Sequence, residues 1–103
     1  HNRDDHSKNI SFLMGETGDW RLAPAYDLTF SQSSHGYHSM TVAGESKHPG
    51  RAQLLDLAKS FSIKKAEIII DEVRGAVSRW SEFAKASGVP PGATRSINRT
   101  LNP

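Results

Sequence analysis

The chain has 103 residues, a formal charge of +2, 36% hydrophobic residues and no cysteine. At this length one domain with a modest core is the ceiling, and the lack of cysteine excludes a disulfide framework or a thiolate zinc site. No apolar run is long enough to cross a membrane, and His1-Asn2-Arg3-Asp4-Asp5-His6 is too polar for a signal peptide, so a cytoplasmic protein with no membrane partner is expected.

The charged start, with no initiator methionine, suggests a piece of a longer protein. Ile10-Ser11-Phe12-Leu13-Met14 alternates as a strand does, and Gly15-Glu16-Thr17-Gly18-Asp19 supplies a turn. Trp20-Arg21-Leu22-Ala23 returns as a second strand, which Pro24 ends. The pattern therefore predicts a β-hairpin over 10–14 and 20–23. If Met14 pairs with Trp20, the constant sum of an antiparallel register sets Asn9 opposite Ala25, and Asp27 falls two residues beyond at the same open end.

From Thr29 to Gly50 serine, histidine and glycine prevail and periodicity is absent. With little apolar area to set against ordering entropy, this stretch is expected to be mobile, with at most a short strand at Met40–Val42. The remainder reads as helical. Leu54, Leu57, Ala58 and Phe61 mark one face of a helix over 51–61. Ser62 then serves as N-cap of a long helix to about residue 87, whose inward stripe is Ala66, Ile69, Ile70, Val73, Val77, Trp80, Phe83 and Ala84. Gly75 within it points to a closely packed neighbour, Gly88 to a left-handed C-cap with Pro90-Pro91 as a stop, and Ile97 and Leu101 to a short last helix over 94–101. The fold class is α+β and mostly α, a hairpin followed by helices. The first fifty residues carry a net charge of −2 and the rest +4. The basic half reads as a solvated helical face, since it contains no nucleic-acid recognition motif.

Chemistry concentrates in the acidic half. Asp4 and Asn9 have the Asp-x-x-x-x-Asn spacing of a kinase catalytic loop, in which the Asp accepts a hydroxyl proton and the Asn binds magnesium on the phosphates. The hairpin brings Asp27 to the same end. A few oxygen-bearing side chains with room for water and phosphate suit Mg²⁺ better than zinc. His35, His38 and His48 offer a weaker zinc alternative, unsupported by cysteine or helix. Asp5 is an alternative base one residue out of register, and His6 reads as a structural residue of the loop.

The runs His1-Asn2-Arg3-Asp4-Asp5-His6-Ser7-Lys8-Asn9-Ile10-Ser11-Phe12-Leu13 and Trp20-Arg21-Leu22-Ala23-Pro24-Ala25-Tyr26-Asp27-Leu28 resemble the C-terminal part of HipA-like serine/threonine kinases, toxins of bacterial toxin–antitoxin modules. The resemblance implies a C-terminal lobe fragment of a protein-kinase-like fold, with a catalytic loop and hairpin over 1–29, an activation-loop-like segment over 30–50 and a helical part over 51–103. It implies Asp4 as catalytic base, Asn9 and Asp27 as magnesium ligands, and Lys8 as partner of the transferring phosphate of ATP. His6 departs from the wider kinase pattern, which has lysine two residues after the base. The resemblance further implies a protein substrate and a helix-turn-helix antitoxin, with DNA reached only through the latter. A kinase-derived interaction module that catalyses nothing is the alternative.

Overall fold

The computed structural model describes residues 1–103 and divides them into two compact units, His1–Thr41 with Ser46–His48, and Val42–Glu45 with Pro49–Pro103. It holds one two-stranded antiparallel sheet and four α-helices, the small α+β architecture expected. No helix is long and apolar enough to cross a membrane.

In the first unit, β1 (Phe12–Met14) pairs with β2 (Trp20–Leu22), and Met14 faces Trp20 as the sequence predicts. The strands are shorter than expected, although Ala23 N–H still donates to Ser11 O at 2.9 Å. The turn closes through Gly15 N–H to Asp19 O at 2.8 Å and Gly18 N–H to Gly15 O at 3.0 Å, with Gly18 at φ +86°. Thr17 Oγ1 donates to Asp19 Oδ1 across it. The N-terminal residues run beside Ser31: Asn2 and Ser31 form a parallel bridge, Arg3 N–H donates to Ser31 O, and Ser31 N–H donates to His1 O. His1 stacks on Phe30 with ring centroids 5.9 Å apart.

The segment after Thr29 has more anchors than its composition suggests. His38 N–H donates to Ser46 O at 2.7 Å, and Ser39 N–H to Arg3 O at 3.1 Å. Met40–Val42 forms no strand. Instead Val42 and Glu45 bridge each other across Ala43 and Gly44, both left-handed at φ 48° and 83°, as a two-residue hairpin turn requires.

The second unit is built from α1 (Arg51–Ser60), α2 (Ala66–Ser78), α3 (Trp80–Ala86) and α4 (Pro91–Leu101). Gln53 Oε1 accepts the Gly50 N–H at 3.0 Å at the start of α1. Ser62 does not cap α2. It occupies the left-handed position after α1 at φ 52°, with Ile63 N–H on Ala58 O and Ser62 N–H on Lys59 O. These are the two bonds of a Schellman motif, and they satisfy carbonyls that α1 leaves open. Lys65 takes the N-cap position of α2, also left-handed, without a side-chain bond. The same motif ends α3, where Gly88 at φ +72° donates to Lys85 O and Val89 to Ala84 O, as the Gly-Val-Pro-Pro sequence predicts.

The expected continuous helix to residue 87 is broken at Arg79. Ser78 Oγ donates to Gly75 O at 2.9 Å, and Arg79 N–H turns to Ala76 O. A serine hydroxyl competing for a carbonyl of its own turn bends a helix, and the Arg79 guanidinium, 5.1 Å from the Phe83 ring centroid, reinforces the new direction. The last helix begins at Pro91, three residues earlier than expected. Proline at the first helical position has its φ preset and lacks only an N–H that would be unpaired there.

Packing is thinner than the apolar stripes imply. The buried residues are Ala58 and Ala84. Ile69, Val73 and Phe83 remain exposed, as do Leu54, Leu57 and Phe61 on α1, while Ile70, Val77 and Trp80 are half-buried. Trp80 Nε1–H donates to Thr94 O at 3.1 Å, joining α3 to α4, where Ile97 and Leu101 are half-buried as expected. Arg51 and Asp71 tie α1 to α2 at 2.6 Å.

Gly75 meets no neighbour. A Cβ built there would find nothing within 4 Å, so the inferred close approach is absent and the residue costs the helix conformational entropy alone. Gly75→Ala is expected to stabilise the protein by about 0.5–1 kcal/mol, read as a rise in the urea midpoint.

Candidate functional site

The open end of the hairpin gathers the chemistry-bearing residues. Ser7–Asn9 forms a short 3-10 turn, closed by Asn9 N–H to His6 O at 3.0 Å, which swings the Asn9 side chain back over the preceding loop. There Asn9 Nδ2 donates both to Asp4 O at 3.0 Å and to Asp27 Oδ2 at 2.7 Å. The convergence of Asn9 and Asp27 expected from the register is therefore present as a direct contact.

Asp27 sits at φ 54°, a left-handed conformation that is costly for a residue with a Cβ and persists only where its surroundings fix it. Here two donors reach its carbonyl, Thr29 N–H at 3.0 Å and Asn2 Nδ2 at 2.9 Å. One residue earlier, Tyr26 OH donates to Lys8 O at 2.6 Å and clips the two arms together. A hollow of about 350 Å³ opens beside Asn9, lined by Ile10, Leu22, Pro24, Tyr26 and Leu28.

Asp4 is held through its backbone. Its N–H donates to Asn2 Oδ1 at 3.0 Å and Ser31 Oγ at 3.1 Å, and its carbonyl accepts from Asn9. Its carboxylate is 69% exposed and accepts no hydrogen bond; His6 Nε2 lies 4.0 Å from it. The other ring nitrogen of His6 is buried without a partner, so the ring does not lace the loop together by hydrogen bonds; the His6 carbonyl does. Lys8 contributes its carbonyl to Tyr26, while its side chain is exposed and forms no ion pair.

Asp5, the alternative base, is differently placed. Its Oδ2 accepts from His38 Nδ1 at 2.9 Å, and its Oδ1 accepts the amides of Ser39 at 2.8 Å and Met40 at 3.2 Å. Burial alone would raise its pKa, but the bonds from His38, Met40 and Ser39 and the His38 charge outweigh it, so the carboxyl lies below its ordinary value. His38 is thus committed to Asp5, and no group of three His, Cys, Asp or Glu residues is placed to hold a metal ion.

Asn9 and Asp27 instead meet through the Asn9 amide nitrogen and Asp27 Oδ2, and one carboxylate with one side-chain amide is a residue set that fits Mg²⁺, which takes one or two protein carboxylates and leaves the rest of its shell to water and phosphate. Asn2, Ser31 and the Asp5–His38 pair are the parts of the site that sequence reasoning missed. Each partner lies 25 or more residues away along the chain, where no local pattern points to it.

A family model described as the HipA-like C-terminal domain matches residues 1–80. No curated protein and no solved structure matches the chain.

Proposed function

Because the chain belongs to the family of HipA-like C-terminal domains, we propose that it supplies the catalytic loop and metal-binding residues of an ATP-dependent serine/threonine protein kinase. In this reading it is a C-terminal lobe fragment of a kinase-like fold, related to toxins that act beside a helix-turn-helix antitoxin. The observation that carries the reading is the Asn9–Asp27 contact at 2.7 Å, with the unbonded Asp4 carboxylate on the same loop.

The chemistry follows from these placements. Asp4 accepts the proton of the acceptor hydroxyl as its oxygen bonds to the γ-phosphorus, the bond to the β–γ bridging oxygen breaks, and ADP leaves. Asn9 and Asp27 would hold Mg²⁺, which supplies charge neutralisation on the phosphates when bound. Lys8, exposed one residue before Asn9, is proposed to reach the transferring phosphate. The bonds from Asn2, Ser31 and Tyr26 keep the arms from drifting apart, and preorganisation of this kind is where phosphoryl-transfer enzymes gain most of their rate. The proposed compartment is the cytoplasm, with DNA met only through the antitoxin.

The test is Mg²⁺-dependent transfer from labelled ATP by the intact protein, with calorimetry on two variants. Asn9→Ala and Asp27→Ala are each expected to weaken Mg²⁺–ATP binding by about tenfold to a hundredfold, as removal of a metal-site partner does. Unchanged affinity in both, or a wild-type protein that neither binds nor transfers, would replace the kinase reading with the non-catalytic interaction module.

A further inference from the structure

Two residues flank Asp4, and both hold the same distant piece of chain. On one side the Arg3 carbonyl accepts the Ser39 N–H at 3.1 Å and the Ser39 hydroxyl at 3.2 Å. On the other, the Asp5 carboxylate accepts from His38, Ser39 and Met40 at 2.8–3.2 Å. Residues 38–40 are thereby strapped to the chain on both sides of Asp4, whose own carboxylate accepts no hydrogen bond. The strap itself is tied at its other side by His38 N–H to Ser46 O, and His38 is only 13% exposed at its side chain.

We propose that Asp5 is a positioning residue, which fixes residues 38–40 beside Asp4 as the ledge against which the acceptor segment of the protein substrate docks. The inference rests on the kinase reading above and adds to it a determinant of acceptor binding. Ser39 and Met40 are exposed, as Asp4 is, so an arriving chain can meet both. A carboxylate gripping two successive amides and an imidazole is a strong, charge-assisted attachment, and both oxygens of Asp5 are engaged in it. It therefore acts on acceptor affinity and not on the chemical step.

The experiment combines amide exchange with acceptor kinetics in the intact protein, using myelin basic protein as acceptor. Asp5→Ala is expected to speed exchange at Ser39 and Met40 by about tenfold or more while the hairpin amides keep their wild-type rates. The same variant should raise KM for the acceptor by about tenfold and leave kcat and KM for ATP within about twofold. Asp5→Asn keeps an acceptor oxygen without the charge, and it should fall between wild type and Asp5→Ala on both readouts. If Asp5→Ala does not fold, Asp5→Asn carries the test, and wild-type values for it overturn the proposal. A fall in kcat with acceptor KM unchanged, or unaltered exchange at Ser39 and Met40, overturns it as well. Absence of transfer by the wild-type protein brings down the kinase reading and this inference together, whereas wild-type transfer with an unchanged KM in Asp5→Ala brings down this inference alone.

Discussion

Asp4→Ala is expected to lower phosphoryl transfer by the intact protein by roughly 100- to 10,000-fold, the usual worth of a positioned general base. Every bond that fixes Asp4 uses its backbone N–H or carbonyl, and none uses the carboxylate. Truncation therefore deletes the carboxylate proposed as proton acceptor and leaves the loop in place. Asn9 still reaches the residue 4 carbonyl and Asp27, so Mg²⁺–ATP affinity should stay within about twofold of wild type, which separates loss of chemistry from loss of binding. Single-turnover transfer and calorimetry on one preparation give both quantities. Retained activity would move the base to His6, whose ring nitrogen lies 4.0 Å from the Asp4 carboxylate, or to Asp5, which would first have to release the strap.

The 103 residues by themselves are expected neither to hydrolyse ATP nor to phosphorylate protein, and to bind Mg²⁺–ATP weakly at best. A kinase places the nucleotide with a glycine-rich loop and a lysine on one side and presents base and metal ligands from the other. The closest glycine spacing here, Gly15 and Gly18, belongs to the hairpin turn with β2 directly after it. On the proposed reading, the chain holds the reacting groups without the device that sets the phosphates against them. Positioning contributes about 7–11 kcal/mol to such reactions, enough to put the isolated chain below detection. Micromolar ATP affinity for these residues alone, measured by calorimetry, would overturn the two-sided account.

The hairpin was legible because two strong local signals agree. The alternation of Phe12 and Met14 sets the strand faces, and the Gly15–Gly18 turn sets the pairing, after which the register places Asn9 and Asp27 at the same open end. The helix over 62–87 failed for a reason equally local but weaker in the pattern. Apolar periodicity runs straight through Ser78 and Arg79, whereas the break depends on one hydroxyl finding one carbonyl. Ser62 misled because serine favours N-caps by its side chain, yet here the backbone conformation of the position decides, and the helix it serves is the preceding one. The strap could not be read from sequence at all, since Asp5 and its partners are 33–35 residues apart and look like any acidic residue and any serine-rich stretch.

The two ends of the hairpin are independent in one useful sense. At the open end, Tyr26 on Lys8 and Asn9 on Asp27 cross-link the arms. At the closed end, the Gly15–Asp19 turn has no bonds outside itself and β2, and the neighbouring Trp20 is 67% exposed. Lengthening a surface loop costs only a slowly growing closure entropy, and the register below it is already set by three strand pairs. The tip between Thr17 and Gly18 is therefore a natural graft point: an epitope or fluorophore-bearing peptide inserted there would report on the protein without altering the Asn9–Asp27 contact at the far end.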